Sequence, residues 1–120
     1  MKAGDENILL ISSEKRGLIE KFVPDAETLG ALSEYFFALS DGTRLKILSA
    51  LAITPLCVGD ISTVLGINQT TVSHQLRTLR LAGIVSCRRQ GKIGFYRIAD
   101  KSVLDVMLSA TDGIMKSEAV

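Results

Sequence analysis

A chain of 120 residues with net charge +1 is long enough for one hydrophobic core and too short for two ordinary domains. Hydrophobic residues at 47% and charged residues at 22% exclude disordered, collagen-like and low-complexity classes. No apolar run approaches the ~18 residues of a membrane span or the roughly 7 to 15 of a signal-peptide core, so a cytoplasmic protein without a membrane partner is expected, its two cysteines held as thiols.

Pro24 disfavours helix at Val23 and sets off residues 1–24 as an N-terminal arm that is a candidate for one short helix. Residues 25–120 then form the main domain. From Asp25, an N-cap residue type, Leu29, Leu32, Phe36 and Leu39 recur at spacings of three and four and predict an amphipathic helix to about Ser40. Asp41 is placed to cap a second helix carrying Leu45, Ile47, Leu48 and Leu51, which Thr54-Pro55 ends. A short third helix runs from about Val58 to Gly66, a residue suited to a left-handed C-terminus. Asn68 caps the next helix, Gln69 to about Leu81, which stops at Gly83.

After Gly83 the period changes to two. Ile84 to Gln90 and Ile93 to Ile98, rich in Val, Ile, Phe and Tyr around Gly91-Lys92, predict a β-hairpin. Asp100 or Ser102 caps a last helix with Val103, Met107, Ala110 and Ile114 on one stripe. The fold class is mainly α with a β-hairpin, in the order α-α-α-α-β-β-α after the arm.

Two helices joined by a short Gly-containing turn form a helix-turn-helix, whose second helix lies in the DNA major groove. On the helix from Gln69, Val72, Leu76 and Leu79 point to one side, and Thr70, Ser73, His74 and Arg77 cluster on roughly the other. That outward face holds hydrogen-bonding side chains and no carboxylate, as contact with base edges and phosphates requires. Together with Asn68, Gln69, Thr71 and Gln75 these residues are the DNA-binding candidates of the helix. Arg88, Arg89, Gln90 and Lys92 at the hairpin tip are a second set, able to reach the minor groove or its phosphates. Charge distribution agrees: residues 1–60 sum to −3 and residues 61–120 to +4, with six Lys and Arg and no acid between Asp60 and Asp100. A solvated cationic patch is the alternative, and Arg80 and Arg97 have internal pairing as theirs. With one His, no paired carboxylates, no phosphate-binding Gly loop and no nucleophile motif, the chain reads as a non-enzyme.

The stretch Ala38-Leu39-Ser40-Asp41-Gly42-Thr43-Arg44-Leu45-Lys46-Ile47-Leu48, with Leu56-Cys57-Val58-Gly59-Asp60-Ile61, Thr71-Val72-Ser73-His74-Gln75-Leu76 and Leu81-Ala82-Gly83-Ile84-Val85, resembles the ArsR/SmtB family of winged-helix repressors. The likeness covers about residues 28 to 110, and the arm is similar to that of the cadmium- and lead-responsive branch. It implies a winged helix-turn-helix with the hairpin as wing. It also implies a homodimer formed through the first and last helices of the domain, where Leu29, Leu32, Phe36, Val103, Met107, Ala110 and Ile114 are the interface candidates. The expected function is a homodimeric repressor of an inverted-repeat operator on double-stranded DNA, released by an effector. A winged-helix protein-interaction module without DNA binding is the alternative.

The same resemblance implies a metal box, Cys-Val-Cys-Asp, which here reads Cys57-Val58-Gly59-Asp60. The family's other site matches Asp100, Ser102, Gly113 and Lys116, only one of which is a ligand type. Both family sites are therefore incomplete and no cofactor is expected from them. Cys57 is left as a metal candidate against its reading as a small packed residue, and the facing of Cys87 is open.

Overall fold

The computed structural model describes residues 8–119. Two compact units divide the chain, Met1–Ser33 and Glu34–Val120, with the boundary inside the second helix. In the first unit, α1 (Ser13–Phe22) starts where the Ser12 hydroxyl accepts the Lys15 N–H and ends at extended Val23, before Pro24. Its Leu18, Ile19 and Phe22 are all exposed. Helix α2 (Ala26–Leu39) opens on Asp25, whose carboxylate accepts the Thr28 N–H at 2.8 Å. That backbone bond holds the Asp25 carboxyl below its ordinary range.

The second unit contains the end of α2, then α3 (Gly42–Leu51), β1 (Leu56–Cys57), α4 (Val58–Leu65), α5 (Gln69–Leu81), β2 (Val85–Gln90), β3 (Ile93–Ile98) and α6 (Ser102–Ala119). Caps fall where the sequence places them: Asp41 accepts the Arg44 N–H and Asn68 the Thr71 N–H, each at 3.0 Å. Gly66 closes α4 with φ +67°, a conformation that costs a residue with a Cβ roughly 1–2 kcal/mol. The Ser62 hydroxyl donates to the Ile67 carbonyl across the turn and fixes the path from α4 into α5.

The core of the second unit gathers one face of each of its helices. Ile47 and Leu48 from α3, Ile61 from α4, and Val72, Leu76 and Leu79 from α5 are fully buried, together with Ile84 and Val103. Each such side chain contributes about 1.5–3 kcal/mol of burial. The strands form an antiparallel sheet in the order β1-β3-β2. Strand β1, which the periodicity does not predict, pairs Leu56 with Tyr96 and Cys57 with Phe95. Gln90 and Ile93 pair across the two-residue turn, in which Gly91 alone has positive φ, the pattern of a type II′ turn. Helices and hairpin thus assemble as a winged helix-turn-helix. No helix among the described residues is long and apolar enough to cross a membrane.

Candidate nucleic-acid interface

With Val72, Leu76 and Leu79 buried beneath it, α5 presents Thr70, Ser73, His74 and Arg77 outward, all exposed. Asn68, Gln69 and Thr71 are exposed at its N-terminus, where the Asn68 carbonyl oxygen is already engaged as cap. Gln75 differs. It is half-buried, and its Oε1 accepts a 2.7 Å hydrogen bond from Nη1 of Arg44.

A groove of about 780 Å³ runs between α5 and the hairpin, lined by Thr70, Ser73, His74, Arg77, Arg80 and Leu81 from the helix and Tyr96 from β3. Its charged groups are two guanidiniums. Among the described residues the ion pairs are Arg16 with Glu20 and Lys116 with Asp112, so neither groove arginine is neutralised by a carboxylate. Burial, and then the Cys87 thiol opposite it in the ladder, push the Tyr96 phenol above its ordinary pKa, while Arg80 draws it down. Tyr96 does not stand among the sequence candidates, and Arg80 is weighed there against internal pairing. The signal for Tyr96 lies in the ladder, where it shares a face with Cys87, a relation that exists only once the register is known.

At the wing Arg88, Arg89, Gln90 and Lys92 are exposed. Arg88 pairs with Phe95 and Arg89 with Gly94, so the two arginines lie on opposite faces of the hairpin. One N–H of Arg89 donates to the Lys92 carbonyl at 2.9 Å, which holds the guanidinium over the turn. Arg97 is half-buried, and its Nε has no hydrogen-bond partner.

The residues at the metal-box positions do not fit a metal ion. Cys57 is the N-cap of α4 without a side-chain cap bond, Gly59 offers no ligand, and the cleft around them is lined by Arg89 and Lys92, whose charges oppose a cation. Asp100 is engaged by the Ser102 N–H and hydroxyl just before α6, and Lys116 pairs with Asp112. Among the described residues no three His, Cys, Asp or Glu come together as a ligand set. Strand β3 lies between the strands of Cys57 and Cys87, which puts two interstrand spacings of about 4.8 Å between their backbones, more than a disulfide spans.

Of the candidate dimer residues, Leu29, Leu32, Phe36, Ala110 and Ile114 are exposed and Met107 is half-buried. Val103 is a correction: it is fully buried in the core of its own protomer, because the first turn of α6 packs into that core before the helix emerges. Farther along, Met107, Ala110 and Ile114 line an apolar groove of about 480 Å³ with Phe36, Leu39 and Leu45.

Known proteins share this architecture and sequence. The family described as bacterial regulatory protein, arsR family, matches residues 41–86. The transcriptional repressor SmtB homolog of Synechocystis sp. is 33% identical over 109 residues, 91% of this chain and 83% of that protein. The cadmium resistance transcriptional regulatory protein CadC homolog of Staphylococcus aureus is 36% identical over 80 residues, 66% of each chain. A solution structure of the homodimeric winged helix-turn-helix DNA-binding domain of a possible ArsR-family transcriptional regulator from Mycobacterium bovis is 36% identical, with TM-score 0.65. It covers 78% of this chain, which in turn covers 84% of it.

Proposed function

Since the chain belongs to the ArsR family of bacterial regulatory proteins, we propose that it is a homodimeric, sequence-specific repressor that binds an inverted-repeat operator in double-stranded DNA. The family is one of regulators and not of enzymes. One observation carries the reading: among the described residues no carboxylate lines the groove beside α5, and α5 and the wing themselves carry none, so one duplex can be met by both elements. Helix α5 enters the major groove with Thr70, Ser73, His74 and Arg77 toward base edges and phosphates. Asn68, Gln69 and Thr71 meet the backbone at its start, and Arg88, Arg89, Gln90 and Lys92 follow the strand beside the adjacent minor groove.

Residues 25–120 serve as the DNA-binding and dimerisation domain. Leu29, Leu32, Phe36, Met107, Ala110 and Ile114 supply its self-complementary contact, which sets the two recognition helices one DNA turn apart. The protein acts where the chromosome is, in the cytoplasm. Repression works by occlusion of the promoter, and an effector other than a metal held at the Cys57 box shifts the dimer toward a weaker-binding form. A binding-site selection on random duplex DNA tests this directly. Recovery of a palindrome with half-sites about 10 base pairs apart is the expected result. Failure to enrich any sequence, with no binding to its own upstream region at low salt, would leave a protein-interaction module instead.

A further inference from the structure

Arg44 is the one charged residue buried among the described side chains, at 9% exposure. A buried guanidinium must be paired or saturated with hydrogen bonds, since its desolvation otherwise costs several kcal/mol. Among the described residues no carboxylate forms an ion pair with it. Its partners are three oxygens instead. Nε donates to the Ala38 carbonyl at 2.7 Å, Nη2 to the Phe37 carbonyl at 3.1 Å and Nη1 to Gln75 Oε1 at 2.7 Å. The first two acceptors are carbonyls of the last turn of α2, where the helix dipole is negative and stabilises a cation; the Phe37 carbonyl also accepts from the Ser40 N–H and hydroxyl. The Phe37 ring, 5.7 Å from the guanidinium carbon, adds a cation–π contact.

The third acceptor lies on α5. Gln75 stands between His74 on the outward face and Leu76 in the core, so a bond to it fixes the rotation of α5 about its own axis. A planar fork of donors suits this task, because its three acceptors hold it in one orientation.

We propose that Arg44 is a positioning residue for DNA recognition: through Gln75 it sets the angle at which α5 presents Ser73, His74 and Arg77, and it refers that angle to the end of α2. Gln75 then acts through Arg44 rather than on a base. Phe36, adjacent to the carbonyl at Phe37 that Arg44 holds, belongs to the proposed dimer surface, so a shift of that surface reaches the recognition helix in two hydrogen bonds. This inference rests on the DNA-binding reading above.

The test uses the full chain and the operator recovered by selection, with Gln75→Ala, Arg44→Lys and the double variant. Lysine keeps the charge but has one nitrogen for three acceptors. Each single change is expected to weaken operator binding about tenfold, the effect of ~1.4 kcal/mol. The double variant is expected to lose no more than either, because both break the same link. Affinity for random duplex, which the surface cations carry, is expected to hold. A merely structural role would lower thermal stability and leave the ratio of operator to random affinity unchanged, which would overturn the inference. Additive losses would overturn it as well.

Should Arg44→Lys fail to fold, Gln75→Ala alone decides. A selection with that variant is expected to show preference relaxed evenly across the half-site. Relaxation confined to one base pair would make Gln75 a base contact and overturn the proposal. Absence of any DNA binding by the unaltered chain would sink the DNA-binding reading and this inference with it. Binding with additive losses would sink only the latter.

Discussion

Salt dependence offers the sharpest test of the proposed DNA surface, because the number of cations facing the duplex fixes its size. Arg77 on α5 and Arg88, Arg89 and Lys92 on the wing are exposed and none is held by a carboxylate among the described residues, whereas the other groove guanidinium, Arg80, is engaged with the Tyr96 hydroxyl and is left out of the count. A dimer then offers eight such cations. If each neutralises one phosphate, the logarithmic slope of affinity against salt is about −7, and raising salt from ~50 to ~200 mM weakens binding about 10⁴-fold. Arg89 spends one N–H on the Lys92 carbonyl and keeps the rest of its five for phosphate oxygens. Changing Arg88 and Arg89 to alanine removes four contacts per dimer, so the slope should fall to about −4 and the same salt step should cost only about 10²-fold. Fluorescence anisotropy of a labelled operator, read over a salt series for both proteins, gives the two slopes. An unchanged slope in the double variant, with its circular dichroism intact, would refute the placement of the wing against DNA.

Leu76→Ala opens a cavity between α5 and the core, and should lower stability by roughly 3 kcal/mol in a urea titration. A loss under ~1 kcal/mol would mean that the site collapses around the gap. The Asp25 carboxyl, held down by the Thr28 N–H, has a lower pKa folded than unfolded. Its contribution to the start of α2 is therefore fully present above the ordinary aspartate value of about 4 and is lost as pH falls through the depressed one. A carboxyl-carbon NMR titration should place its midpoint below that of an unstructured aspartate; a midpoint at or above it would remove the cap from the account. Zinc, cadmium or lead added under reducing conditions should leave operator binding unchanged, since cations line the cleft around Cys57. Metal-dependent release that disappears in Cys57→Ser would reverse that conclusion.

Helix limits were legible wherever a cap and a three-four period coincided, as at Asp41 and Asn68, because both signals are local. The turn at Gly91 was legible for the same reason. Strand β1 was not: two residues after a proline carry no period, and Leu56 and Cys57 become a strand only because β3 offers an open edge. Gln75 reads in sequence like its polar neighbours on α5. What separates it is a bond to a residue 31 positions away. Val103 begins the same stripe as Met107 and Ile114, yet a stripe shows only that a face is apolar and not where along the helix the protomer's own core ends. Tyr96 and Arg80 are brought to one groove by the fold of the hairpin beside α5, a juxtaposition with no counterpart in local spacing.

Helix α6 begins inside the core at Val103 and continues outward with Leu108, Ile114 and Met115 more than half exposed. Such a helix is finished only when something covers its far end. In the proposed dimer that cover is a second chain, so the melting temperature becomes a function of protein concentration and a dilute sample is a less stable one. The cell's supply of the protein then governs its persistence as well as its occupancy of DNA: protomers made in small numbers are the ones most exposed to unfolding and proteolysis before they meet.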